Sequence, residues 1–102
     1  MKEYDLYVPL NYNDGTPVEP RTLEGIQEKL LQQFRGVTFF PQPNQGLWTF
    51  GGVTYRDEIV IYRVVTDRVR AARRFFRQLK EELKHELRQD AILIVEKDAQ
   101  VI

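Results

Sequence analysis

The chain has 102 residues, too few for two independent cores, and 42% of them are hydrophobic, enough for one globular domain. Fifteen basic residues balance fifteen acidic ones, so net charge selects neither a polyanion nor a membrane surface as partner. The absence of cysteine excludes disulfides, thiolate metal sites and cysteine nucleophiles.

The N-terminal residues Met1 to Asp5 lead straight into a strand-like run, without an apolar signal region. No apolar run approaches the roughly 18 residues that span a bilayer. The expectation is a cytoplasmic protein with no membrane contact. In "YDLYVPL" (Tyr4 to Leu10), Leu6, Val8 and Leu10 alternate with Asp5 and Tyr7, the period of a first strand. "NYNDGTPVEP" is turn chemistry, and Pro20 suits the first turn of a helix, where its missing N–H costs nothing. Leu23, Ile26, Leu30 and Phe34 then recur at helical spacing, with Gly36 as the predicted C-terminal stop.

"VTFF" (Val37 to Phe40) reads as a short second strand ended by Pro41 and Pro43, and "EIVIYRVV" (Glu58 to Val65) as a third, rich in β-branched residues. Thr66 or Asp67 can cap a long helix starting near Arg68. Its apolar stripe is Val69, Ala72, Phe76, Leu79, Leu83 and Leu87. "AILIVE" (Ala91 to Glu96) supplies a last strand. The order β-α-β-β-α-β predicts one α+β domain over residues 1–102, a ferredoxin-like sandwich with a four-stranded antiparallel sheet and both helices on one face.

The segment from about residue 44 to 57 is too long for a tight connection. "LWTF" and "VTYR" flank Gly51-Gly52, a two-residue turn signal, and predict an extra β-hairpin between strands two and three with Trp48 across from Tyr55. A lone hairpin is marginal in water, so this arm is expected to fold over its own sheet or against another subunit. On the sheet itself, the alternation predicts that Leu6, Val8, Leu10, Val37, Phe39, Ile59, Ile61, Ile92 and Ile94 face the helices. Tyr7, Thr38, Phe40, Val60, Tyr62, Val64, Leu93 and Val95 then fall on the open face, which is too apolar to remain wet. Pairing with a second copy, as a homodimer, covers such a face with one self-complementary surface.

Little in the sequence points to catalysis. His85 is the only histidine and lies off the apolar stripe, leaving no Cys/His metal cluster and no implied cofactor. Asp57 and Glu58 are adjacent in a strand and point to opposite faces, whereas Arg56 and Glu58 can face each other as an ion pair. Arg70, Arg73, Arg74 and Arg77 open the second helix; cations there oppose its dipole, which raises a nucleic-acid partner as an alternative. The mixed signs that follow, from Lys80 to Glu86, favour a solvated face.

Gly36, Thr38, Gly46, Trp48, Gly52, Glu58 and the run Ala91-Ile92-Leu93 form a sparse pattern from "GVTFF" onward. In these residues the chain resembles a bacterial family of small ferredoxin-like proteins of unknown function. The resemblance implies the same fold and brings no activity with it. The resulting expectation is a homo-oligomerising or partner-binding module using its open sheet face and hairpin. The candidate binding residues are Tyr7, Phe40, Trp48, Tyr55, Arg56, Glu58 and Tyr62. The alternatives are a small enzyme or ligand-binding domain with its pocket between that face and the Trp48 hairpin, and nucleic-acid binding through the arginines.

Overall fold

A computed structural model describing residues 1–102 contains β1 (Lys2–Pro9), α1 (Pro20–Phe34), β2 (Thr38–Phe50), β3 (Val53–Thr66), α2 (Val69–Glu86) and β4 (Ile94–Asp98). The strands form one sheet in the order β2-β3-β1-β4, with every neighbouring pair antiparallel. Helix α1 carries the chain from β1 past β3 to β2, and α2 carries it from β3 past β1 to β4. The fold is the ferredoxin-like α+β sandwich that the element order predicts.

Register decides which side chains meet the helices. Leu6 of β1 stands opposite Tyr62 of β3 on one flank and Ile94 of β4 on the other, while Phe39 of β2 also faces Tyr62. Residues directly opposite share a face. Tyr4, Leu6 and Val8 therefore join Val60, Tyr62 and Val64 in one buried cluster with Ile26 and Leu30 of α1 and Ala72, Phe76, Leu79 and Leu83 of α2. Tyr4 of β1 stacks on Phe76 of α2 at 4.8 Å between centroids, bridging the layers, and Phe39 stacks on Tyr62 within the sheet at 4.7 Å. The Tyr62 hydroxyl donates to the Leu23 carbonyl of α1 at 3.1 Å, which satisfies the one polar atom of a side chain only 1% exposed. Burial pushes its pKa up to about 12.

This corrects the expected facing of β3. Val60, Tyr62 and Val64 point to the helices, and Ile59 and Ile61 to the open side. Other element ends differ too. Arg35, not Gly36, takes the left-handed cap of α1 (φ 66°), its N–H donating to the Leu31 carbonyl at 2.8 Å. Pro41 and Pro43 do not end β2. The ladder with β3 pairs Phe40 with Ile61 and then Asn44 with Ile59, so residues 41–43 bulge outward on an edge strand, where a missing N–H breaks no bond. Strand β4 starts at Ile94 rather than Ala91.

The open face of the sheet carries charge at its centre. Arg63 pairs with Asp5 across β3 and β1, Nε and Nη2 donating to the two carboxylate oxygens at 2.9 and 3.2 Å. Lys97 of β4 approaches Asp5 Oδ2 at 3.5 Å. Glu3 Oε2 lies 3.0 Å from Arg63 Nε and 3.1 Å from Lys97 Nζ, as ion-pair contacts with no aligned hydrogen bond. Asp5 is 2% exposed. Burial alone pushes its carboxyl up, but the Arg63 and Lys97 cations outweigh that, and the group sits below its ordinary value. A second tie lies on the helix face of the same two strands, β1 and β4. Arg73 of α2 grips Glu96 of β4 with two bonds at 2.8 and 3.0 Å, and the Tyr4 hydroxyl donates to the same carboxylate at 2.6 Å.

Two predictions follow from these ties. Arg63→Leu leaves the Asp5 charge buried with less compensation and lowers unfolding free energy by about 2–3 kcal/mol in urea titration. The Arg73 and Tyr4 hydrogen bonds depress the Glu96 pKa from 4.5 to about 2. A depressed carboxylate contributes stability that is complete above its unfolded value and is lost as pH falls toward the folded one. Glu96→Gln therefore removes part of the acid loss between about pH 4.5 and 2, so its stability profile runs flatter than wild type there.

Candidate functional site

The arm grows from the turn. Gly51 and Gly52 adopt φ of 59° and 79°, the two positive values that a two-residue hairpin turn matching strand twist requires. A Cβ at either would meet nothing within 4 Å, so the demand for glycine comes from the backbone alone. The turn sets Phe50 opposite Val53, Trp48 opposite Tyr55 and Gly46 opposite Asp57, and strand alternation puts all six on one face. Trp48 stacks on Tyr55 with centroids 4.5 Å apart and planes 20° apart. Its indole N–H donates to Asp57 Oδ2 at 2.9 Å, fixing the ring by both a face and an edge.

The outer arm has few neighbours. Pairing between β1 and β3 ends at Pro9 opposite Ile59, followed by one further bond from the Leu10 N–H to the Glu58 carbonyl at 2.9 Å. Beyond it the arm is a two-stranded ribbon. Phe50 is 72% exposed at its tip, and Leu47, Trp48, Val53 and Tyr55 are also exposed.

At the arm's base a groove of about 580 Å³ opens between its Trp48 face, the end of β1 and the chain entering β4. Tyr7, Trp48, Phe50, Ile59 and Leu93 give it apolar walls, and Asp57, Asp90, Asn13 and Gln89 give it polar groups. The segment leading to β4 is tied down on two sides. The Tyr7 N–H donates to the Leu93 carbonyl at 3.0 Å, and Asn13 exchanges hydrogen bonds with the Arg88 carbonyl and the Gln89 amide at 3.2 and 3.3 Å. A volume of that size suits a small molecule.

The predicted site residues separate into three places. Tyr7, Trp48 and Tyr55 belong to the arm and groove. Phe40 lies on the open face under the Arg63 guanidinium, 4.9 Å from ring centroid to Cζ. Arg56 and Glu58 sit on the opposite side of the arm, exposed, and the ion pair expected between them is not formed. Tyr62 is withdrawn from the set, since it lies inside the core. The groove residues outside the predicted set include Asn13, Asp57, Gln89, Asp90 and Leu93. Counting back from the glycine turn places Asp57 on the Trp48 face, a signal present in the sequence, and strand alternation already puts Leu93 on the open face with Tyr7.

Arg73 is engaged with Glu96, while Arg70, Arg74 and Arg77 are exposed along α2 without an ion-pair partner. No group of three or more His, Asp or Glu side chains is placed to hold a metal ion. No helix is long and apolar enough to cross a membrane.

No family model matches the chain, and no curated protein does. Solved structures do. A phage SAM lyase in complex with S-methyl-5'-thioadenosine superposes with TM-score 0.70 at 12% identity, covering 95% of this chain and 80% of the lyase. A point mutant of CutA1 from Pyrococcus horikoshii OT3 superposes with TM-score 0.62 at 15% identity, covering 100% of this chain and 86% of CutA1. At such identities the likeness is one of fold.

Proposed function

We propose that the chain is a self-associating module that docks through the Trp48 arm onto a second copy. The observation that carries this reading is the cluster of exposed apolar side chains on a ribbon that its own sheet leaves uncovered, from Leu47 to Tyr55. A two-stranded hairpin is marginal alone and gains stability when a neighbour covers its apolar face. A twofold arrangement needs only one surface that matches itself. Gly46, Trp48, Gly52 and Glu58, four of the residues that carry the resemblance to the small bacterial family, fall within this arm or at its base. The open sheet face contributes less than the sequence suggested, because its centre holds the Asp5, Arg63 and Lys97 charges.

A second reading, a small-molecule site, is favoured by the groove at the arm's base. A phage lyase of this fold is solved with S-methyl-5'-thioadenosine, so the fold accommodates a ligand of that size. On this reading Tyr7, Trp48 and Asp57 touch the ligand.

Sedimentation of the purified chain tests the first reading. The expected mass is a multiple of 12.1 kDa, and Phe50→Lys with Val53→Lys at the arm's tip reduces it to the monomer while far-UV circular dichroism stays unchanged. A wild-type chain that sediments as a monomer at every concentration tried removes the proposal.

A further inference from the structure

The groove has a charge bias that narrows what it can hold. Its ionisable rim groups are Asp57 and Asp90, and no lysine, arginine or histidine lines it. An anion entering it would lose water against two carboxylates with no cation to replace that water. A cation meets the reverse situation. Trp48 forms part of the wall, and indole has the strongest affinity for cations among aromatic rings. The ring is already fixed by Tyr55 and Asp57, so binding costs it little conformational freedom. Asp57 uses Oδ2 to hold the indole, leaving Oδ1 available to an incoming positive group.

We propose that the groove binds a small organic cation with a flat apolar body, its ring against Trp48 and its charge toward Asp57. This rests on the small-molecule reading of the groove. Ile59, Leu93 and Tyr7 cover the body, and Asp90 adds to the negative field at the rim.

Trp48 is the only tryptophan, so its indole N–H gives a single NMR resonance from the centre of the site. The probes are N-methylquinolinium, neutral quinoline and anionic quinaldate, titrated into the full chain at neutral pH. The cation is expected to shift that resonance and bind about tenfold tighter than quinoline, with quinaldate weakest. Asp57→Asn retains an oxygen for the indole N–H while removing the charge, and lowers cation affinity about tenfold with quinoline unaffected. Gly46→Leu projects a side chain from the Trp48 face, where a Cβ meets only ordinary contacts with the Asp57 carbonyl at 3.7 Å and Ile59 Cδ1 at 3.8 Å, and abolishes binding of the cation and quinoline. If quinoline or quinaldate binds as tightly as the cation, the charge preference is wrong while the small-molecule reading stands. If no probe shifts the resonance, both fall. A resonance that moves with protein concentration but with no probe identifies a second copy as the occupant and overturns the proposal.

Discussion

The pairing of Asp5 with Arg63 across the two central strands is the constraint on which the sheet's facing depends. One residue of slippage would exchange every side chain of β3 between core and open face. With Asp5 opposite Arg63, Leu6 falls opposite Tyr62, and the aromatic layer from Phe39 through Tyr62 to α1 follows. A carboxylate as buried as Asp5 is costly without a partner, so the pair penalises the slipped alternatives more than it adds to stability. Lys97 and Glu3 extend the same charge pattern to β4, which holds only five residues and has little apolar burial of its own.

The fixed sheet carries the arm as a cantilever. Strands β2 and β3 continue past the end of β1, and the twist that suits a glycine turn brings Trp48 back beside the chain entering β4. The groove therefore arises from two features far apart in sequence, a hairpin tip and a post-helical segment pinned by Asn13 and Tyr7. Neither would form a wall alone.

Much of this was legible in the chain. The α2 stripe, the proline at the first turn of α1 and the Gly51-Gly52 turn each have a local cause, and each stands where periodicity and turn chemistry put it. Strand β3 was ambiguous because both of its phases are apolar: Ile59, Ile61 and Val65 on one, Val60, Tyr62 and Val64 on the other. Arg63 broke that tie, and only in combination with Asp5 on a distant strand. Arg35 as the helix cap and the Pro41 and Pro43 bulge were hidden for a different reason. Both depend on tertiary context, an edge position for the prolines and a left-handed backbone held by the Leu31 carbonyl for the arginine. The candidate site was half visible: its aromatics announced themselves, but its acidic rim required the turn register and the path of residues 89–93.

The proline bulge on β2 has a consequence for crowding. An outer strand with a free row of amides is a template on which further chains can zip up without limit. Pro41 and Pro43 remove donors from the middle of that row and bend it, so the lower half of β2 offers no continuous rung for another strand. On β2 the stretch from Asn44 to Phe50 keeps a regular register with β3 and remains available to a visitor. The bulge thus works against strand-on-strand growth along that flank, and the opposite edge, β4, is only five residues long.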